Sequence, residues 1–154
     1  MKKEYANPKE LSKPGTYTHV VSAAGADKLV YIAGQVAYAQ DGSIVGKGDM
    51  RAQTGQVFRN LSAALKAAGA GWGDVIKLNA YMVDVTDEAI AQYREVRLGF
   101  LKPGQFPAST LVGVTRLADK DFLLEVEAIA VLGKAGPAGR AARKPSRKAK
   151  KKKS

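Results

Sequence analysis

Two runs rich in β-branched and other apolar residues open the folded part of the chain, His19 to Ala24 and Leu29 to Ala37. The polar spacer Gly25 to Lys28 separates them, and a short spacer of this kind predicts a β-hairpin. Residues 1–16 are polar and interrupted by proline and glycine, which favours a loop. The pattern therefore predicts a loop followed by two paired strands.

A helical period replaces this pattern after Asp49. Apolar side chains recur three and four positions apart on one face, at Val57, Leu61, Ala64, Leu65 and Ala68. Asp49 is suited to cap the first turn, and Gly69 is suited to end the helix because glycine adopts the left-handed conformation found there. A second, shorter helical pattern runs from Asp87 to Leu101 and ends at Lys102-Pro103-Gly104.

Three further segments read as strands, Val75 to Val85, Ala108 to Arg116 and Phe122 to Leu132. The predicted order is ββαβαββ, an α+β fold. The strands at 29–37 and 122–132 are apolar on both faces, whereas two helices can cover only one face of a five- or six-stranded sheet. The other face needs a partner, and a second copy of this chain is the simplest one, so we expect an oligomer.

The net charge of +11 is concentrated in one part of the sequence. Residues 134–154 contain ten of the 25 basic side chains and none of the 14 acidic ones, which leaves residues 1–133 with a charge of +1. We therefore predict a folded domain over 1–133 and a disordered basic tail over 134–154, because the latter has no large apolar residue to offset the entropy of ordering. Such a tail either binds nucleic acid weakly or serves only as a solubilising extension.

Several reaction classes lack the residues they need. The sequence has no cysteine, which excludes thiolate nucleophiles and Cys-based metal sites, and a single histidine, His19, which excludes a two-histidine metal motif in one chain. Tyr17 and His19, taken alone, favour packing roles. The string Gly69 to Gly73 follows a helix and precedes a strand, the reverse of a dinucleotide fingerprint, and is interpreted as a helix end and turn. With no signal peptide or membrane span evident, we expect a cytoplasmic protein without metal or cofactor.

Glu125 and Glu127 share one face of the last predicted strand, because side chains alternate along a strand. One interpretation is a pair of exposed carboxylates matched to nearby cations. The other places one carboxylate in a cleft, where desolvation lets it handle a proton or orient a water molecule. A triad of Ser109, His19 and Asp119 is not favoured, because no nucleophile-elbow pattern surrounds the serine.

A set of short strings is spread over residues 14–132. They are Gly34-Gln35, Gln53 with Asn60-Leu61, Ala67-Ala68-Gly69, Gly73-Asp74-Val75-Ile76-Lys77, Tyr81-Met82-Val83-Asp84, Phe106-Pro107-Ala108-Ser109-Thr110 and Leu124-Glu125-Val126-Glu127-Ala128-Ile129-Ala130. Together they resemble the RidA/YjgF (Rid) family of reactive intermediate deaminases. The ending Glu-x-Glu-Ala-Ile-Ala, preceded by a Pro-Ala pair, is a specific signal of that family.

The resemblance implies a chorismate-mutase-like α+β fold and a homotrimer, with the sheets forming a central barrel, the helices outside and three clefts between subunits. The best-known members hydrolyse imines and enamines such as 2-aminoacrylate to keto acids and ammonia, without a cofactor. Their chemistry needs an anchor for the substrate carboxylate and a positioned water. Tyr17 falls on the family's cleft tyrosine, Gly34 on a glycine that lines the cleft, and Glu125 on the glutamate that holds the attacking water.

Two positions depart from the family pattern. Active deaminases have arginine within Pro-Ala-Arg, but this chain has Ser109, whose hydroxyl supplies neither the charge nor the bidentate fork that binds a carboxylate. Tyr93 stands approximately where the family has an asparagine. Arg94, Arg97 and Arg116 are near in sequence and could replace the missing cation, although a regular strand would point Arg116 away from the face of Ser109.

The leading hypothesis is a trimer that binds a small metabolite in clefts between subunits, with Glu125 as the catalytic residue. Tyr17, Gly34, Tyr93 and Ser109 are predicted to line the substrate site. The substrate would be an imine or enamine whose anchoring group is not a simple carboxylate. The alternative is a non-catalytic ligand-binding or protein-stabilising trimer whose tail binds nucleic acid nonspecifically. A ribonuclease is least supported, since no pair of histidines can serve as acid and base.

Overall fold

The computed structural model describes residues 1–133, and the predicted basic tail lies outside the described residues. Six strands and two helices follow one another in the order β1 (Lys2–Ala6), β2 (Val20–Ala24), β3 (Lys28–Gln35), α1 (Met50–Ala68), β4 (Val75–Met82), α2 (Asp87–Leu98), β5 (Ala108–Gly113) and β6 (Leu124–Leu132). A single 3₁₀ turn, Trp72–Asp74, precedes β4. The predicted α+β class is confirmed, with one more strand at the start than the hydrophobic pattern indicated.

The four strands that carry the core form a mixed sheet in the order β3-β6-β4-β5. Strand β6 pairs antiparallel with β3 and β4, while β4 and β5 are parallel. Strands β1 and β2 form a separate antiparallel ribbon. The predicted hairpin between 19–24 and 29–37 is therefore wrong. Strand β3 pairs with β6 instead, where Val30 and Ile32 are buried, because long-range burial outweighs the short spacer.

The ribbon joins the larger sheet through the loop that precedes β2. Thr18 forms an isolated parallel bridge with Ala108. Its backbone N–H donates to the carbonyl of Pro107 at 3.2 Å, and its hydroxyl donates to the carbonyl of Phe106 at 2.7 Å. These bonds hold residues 14–18 against the beginning of β5.

Both helices begin and end where the sequence supplies caps. The Asp49 carboxylate accepts a hydrogen bond from the N–H of Ala52 at 2.9 Å, and Gly69 ends α1 in the left-handed conformation at φ 75°. Thr86 caps α2 by accepting from the N–H of Ala89 at 3.1 Å. The second helix stops at Leu98, three residues before the predicted end.

The helices cover one face of the four-stranded sheet, as predicted. On that face β4 and β6 contribute the buried side chains Leu78, Ala80, Met82, Val126, Ala128 and Ala130. On the other face, which we call the open face, Tyr31 is 73% exposed and Leu29 is 50% exposed. A register shift between Val75 and Lys77 places Val75 in the core.

Candidate functional site

The structure separates the predicted site residues into two groups. Tyr17, Tyr93 and Ser109 lie together on the helix-covered side of the sheet, around one recess. Gly34 and Glu125 lie together elsewhere, with Glu125 on the open face. The five positions therefore do not form one site within a single chain.

The first group surrounds a recess of about 120 Å³. Three elements form its wall, and the lining residues are Thr16, Tyr17, Tyr93, Arg94, Arg97, Ser109 and Leu111. The loop before β2 contributes one side, α2 a second and β5 the third. A shallower depression of about 180 Å³ adjoins it along Gly15, Thr16, Tyr17 and Arg94. We call the smaller cavity the arginine recess, because two of its lining residues are arginines.

Arg97 is the most unusual residue of the arginine recess. It is only 3% exposed, and its Nε and Nη2 atoms have no hydrogen-bond partner among the described residues. Its guanidinium carbon lies 5.5 Å from the ring centre of Tyr93, one helical turn earlier. Burial lowers the pKa of Arg97, and the neighbouring charge of Arg94 lowers it further. An uncompensated buried cation of this kind is costly unless an anion binds it.

Tyr93 forms the floor between Arg97 and Ser109. Tyr93 is 1% exposed, and its ring packs edge-on against Phe58 with 6.1 Å between ring centres. Its hydroxyl oxygen has no hydrogen-bond partner among residues 1–133. Burial raises the pKa of Tyr93, and the charge of Arg97 opposes that shift. Tyr93 therefore stays protonated and presents a neutral hydroxyl inside the recess.

Tyr17 closes the recess from the loop side. Its half-buried ring packs edge-on against His19 at 5.2 Å between ring centres. His19 Nε2 lies 2.8 Å from the carbonyl oxygen of Ser12. The histidine thus supports the loop, which agrees with its predicted packing role, and it is absent from the lining of the recess.

The second group is organised by an irregularity in strand β3. The register with β6 shifts between Ile32 and Gln35, so that Gly34 lies in a bulge beside Glu125. A Cβ atom built on Gly34 would lie 2.7 Å from Cδ and 2.9 Å from Cγ of Glu125, closer than side chains pack. The carboxylate of Glu125 lies in the space that another side chain at position 34 would fill, so a larger residue there would displace it.

The two glutamates of β6 have different surroundings. The Glu127 carboxylate accepts hydrogen bonds from Asn79 Nδ2 at 2.7 Å and from the Tyr81 hydroxyl at 3.2 Å. Partial desolvation, followed by this bond and by the charges of both glutamates, raises the pKa of Tyr81. No hydrogen bond or ion pair joins the Glu125 carboxylate to another of the described residues. The Glu127 carboxylate already accepts hydrogen bonds within the sheet, whereas Glu125 is able to accept one from a ligand or water.

The sequence indicated Arg97 as one of three arginines that could replace the missing cation, without distinguishing between them. Its spacing from Tyr93, four residues along α2, would have placed both on one helical face, but the pattern could not show which face met β5. Arg94 lines the rim of the recess, whereas Arg116 lies beyond the end of β5 and lines neither cavity. Alternation of side chains along β5 does not determine where Arg116 points, because the strand ends at Gly113.

Two residues of the shared strings have structural roles. Gln53 is fully buried; its Nε2 donates to the carbonyl of Asp121 at 2.6 Å, and its Oε1 accepts from the N–H of Leu123 at 2.9 Å. Asn60 donates to the carbonyls of Val36 and Tyr38, both at 2.9 Å. These amides hold the segments that lead into β6 and out of β3.

Neither a metal cluster nor a membrane span is found in the part of the chain that the structure describes. No group of three or more histidine, cysteine, aspartate or glutamate residues within 1–133 has the arrangement of a metal site. No helix in that range is long and apolar enough to cross a membrane. The string Gly69 to Gly73 forms a helix end and turn, as predicted.

The chain is similar in sequence to several known proteins. Residues 8–132 match the family model described as Endoribonuclease L-PSP. A RutC family protein of Pyrococcus horikoshii is 37% identical over 129 residues, which cover 83% of this chain and 97% of that protein. The Escherichia coli protein TdcF, named provisionally as a reactive intermediate deaminase, is 34% identical over 121 residues, or 77% of this chain and 90% of that protein.

A solved structure supports the same grouping. YyfB of Yersinia pestis, described as a protein of unknown function of the conserved Rid family, superimposes with a TM-score of 0.80 at 34% identity and covers 86% of this chain and all of that one. The two helices over a mixed sheet, together with the length of the sequence match, define a Rid-like α+β protein. The chain belongs to the RidA/YjgF (Rid) family.

Proposed function

We propose that the protein hydrolyses the imine or enamine of a small metabolite in clefts formed between copies of the chain. The observation that carries this proposal is the uncommitted carboxylate of Glu125 beside Gly34, the two positions that the family resemblance assigns to water binding and the cleft wall. Some relatives are named as reactive intermediate deaminases, which agrees with this chemistry.

The reaction needs only water and proton transfer. An enamine first gains a proton at its β-carbon and loses one at nitrogen, which gives the imine. Glu125 accepts a proton from a water molecule while the oxygen of that water attacks the carbon of the C=N bond. The nitrogen takes up a proton, which gives a carbinolamine. Collapse of that adduct expels ammonia and leaves the carbonyl compound, so that one imine and one water yield one ketone group and one ammonia.

The arginine recess supplies the second half of the cleft. It lies on the face opposite to Glu125, and a substrate that contacts both must therefore lie between two chains. The exposed apolar side chains of the open face, Leu29 and Tyr31, offer a surface for such contact. We propose the homotrimer that the family resemblance implies, with Tyr17, Tyr93 and Ser109 of one chain facing Gly34 and Glu125 of the next.

The test compares two carboxyl-to-amide variants. Glu125→Gln removes the proton acceptor, whereas Glu127→Gln changes a residue already bound to Asn79 and Tyr81 and serves as the matched control. Each protein is incubated with 2-aminoacrylate generated enzymatically, and pyruvate and ammonia are measured above the uncatalysed rate. We expect Glu125→Gln to lower the rate about 100-fold or more and Glu127→Gln to leave it within about threefold.

Two results would overturn the proposal. One is a wild-type protein that gives no acceleration with 2-aminoacrylate or its longer homologues, which would favour a non-catalytic ligand-binding trimer. The other is unchanged turnover in Glu125→Gln, which would remove this residue from the mechanism.

A further inference from the structure

We propose that Arg97 is the carboxylate anchor of this protein, so that the cation of the cleft comes from helix α2 rather than from strand β5. The inference rests on the proposed function, since it names the substrate class of the same cleft, small 2-imino or 2-enamino carboxylic acids. It replaces the expectation, drawn from Ser109 alone, that the anchoring group is not a simple carboxylate.

The arginine recess has an unbalanced positive charge. Arg97 is 3% exposed, yet none of the residues that line the recess is acidic. Arg94 at the rim adds a second positive charge, while the loop and β5 contribute only hydroxyls and apolar groups. A cation this deeply buried normally has a carboxylate partner. Here Arg97 lines the recess instead, where the carboxylate of a ligand can take the place of that partner.

The guanidinium atoms of Arg97 that lack hydrogen-bond partners have the geometry of a carboxylate-binding edge. Nε and Nη2 of Arg97 are the two nitrogens with no acceptor among the described residues. These nitrogens lie on the same edge of the guanidinium plane, and their N–H bonds are nearly parallel. An edge of this kind binds the two oxygens of a carboxylate side by side.

The volume of the arginine recess fits a small carboxylate. The recess of about 120 Å³ accommodates a carboxylate and a short carbon stem. Ser109 is one of its walls, and a larger side chain there would occupy the volume beside Arg97. An arginine at this position would also place a second guanidinium next to the first. Serine at 109 and arginine at 97 are therefore compatible as a pair, with the cation moved from strand to helix.

The experiment measures binding, independently of turnover. Pyruvate, the product carboxylate, is titrated by calorimetry into the full-length wild-type protein and four variants. Arg97→Gln removes the charge, Arg97→Lys keeps the charge without the fork, and Arg94→Gln removes the charge at the rim. Glu127→Gln is the control, because this carboxylate is already bonded to Asn79 and Tyr81 within the sheet. We expect a loss of about tenfold or more for Arg97→Gln and a clear loss for Arg97→Lys. Arg94→Gln should lose less than Arg97→Gln, and Glu127→Gln should bind within about threefold of wild type.

A folding control keeps the result interpretable. Arg97→Gln removes a buried charge without a partner, so it should melt at or above the temperature of the wild-type protein. Pyruvate should raise the melting temperature of wild type and not that of Arg97→Gln. If the glutamine variant fails to fold, the comparison of wild type with Arg97→Lys decides, because lysine preserves the charge and loses only bidentate binding.

Three outcomes overturn the inference. Pyruvate binding that is equal in wild type, Arg97→Gln and Arg97→Lys would mean that Arg97 is not the anchor. Inorganic phosphate that competes as strongly as pyruvate would mean that the recess does not select carboxylates. If hydrolysis depends on Glu125 but pyruvate binding does not depend on Arg97, this inference is wrong and the proposed function stands. If pyruvate binding depends on Arg97 but the protein does not hydrolyse the substrate, the inference is supported and the proposed function is wrong.

Discussion

Ser109 and Glu125 lie on opposite faces of one four-stranded sheet. Leu78 of β4 is in register with Ser109 on one side and with Ala128 on the other, and this row points toward the helices. Tyr81 is in register with Glu125, and that row points to the open face. Residues in register share a face. A ligand that contacts both Ser109 and Glu125 must therefore lie between two copies of the chain.

The contact between Gly34 and Glu125 predicts the effect of a single methyl group. In Gly34→Ala the new Cβ would collide with the carboxylate, which must move by about an ångström or more. We expect hydrolysis to fall about 100-fold with the fold retained, since misplacement on this scale is costly for a positioned water. Gly73→Ala is the matched control, because no atom lies within 4 Å of a Cβ built there. Equal rates for both variants would contradict the assigned role of Glu125.

The open face predicts how assembly responds to charge. Tyr31 is 73% exposed there, and Tyr31→Glu would place a carboxylate in an apolar contact between copies. Light scattering should show a trimer for wild type and a monomer for this variant. Leu98→Glu is the control, since Leu98 is an exposed apolar residue on the helix side at 39% exposure. A trimer that persists in Tyr31→Glu would place the interface elsewhere.

The raised pKa of Tyr93 predicts a loss of stability in alkali. Tyrosine ionises near pH 10 in the unfolded chain, whereas burial keeps this phenol protonated above that value in the fold. Its contribution is fully present below pH 10 and is lost as the pH rises toward the folded pKa. Urea unfolding at pH 8 and pH 10.5 should show a smaller decline in the free energy of unfolding for Tyr93→Phe than for wild type. An identical decline would mean that Tyr93 is not protected from ionisation.

The buried amide of Gln53 predicts a structural cost without a direct effect on chemistry. Gln53→Met keeps the size but leaves the carbonyl of Asp121 and the N–H of Leu123 without their partner. We expect a loss of about 2–4 kcal/mol in the free energy of unfolding, measured by urea denaturation. Gln92→Met is the control. Among residues 1–133 the Gln92 side chain hydrogen-bonds to Glu88 alone, one turn earlier on α2, so this change should alter stability by less than about 0.5 kcal/mol.

Local patterns predicted the helices and most strands because their physical causes are local. Asp49 and Gly69 mark α1 through capping, and the alternation of side chains marks β4, whose positions alternate between buried and half-buried from Leu78 onward. The strand β1 was missed, since the polar string Lys2–Ala6 has too few apolar residues to give an alternating signal. The pairing of β3 was also missed, because register with a distant strand depends on burial that no short window contains.

The site was predicted in part for a similar reason. The resemblance predicted one site made of Tyr17, Gly34, Tyr93, Ser109 and Glu125. Within one chain the structure brings Tyr17, Tyr93 and Ser109 to the arginine recess and places Gly34 and Glu125 apart from them. The resemblance did not show which residues share a face, since that depends on which strands pair. The burial of Arg97 was equally inaccessible, because an arginine on a short helix is usually exposed.

A complementation experiment tests most directly the claim that the cleft takes Glu125 from one copy and Arg97 from its neighbour. Glu125→Gln and Arg97→Gln chains are co-assembled in equal amounts, each being nearly inactive alone, and hydrolysis of 2-aminoacrylate is measured. Random assembly into trimers leaves about one quarter of the clefts with both wild-type residues, so about a quarter of wild-type activity should return. Mixed assemblies that stay as inactive as either parent would contradict a site shared between chains.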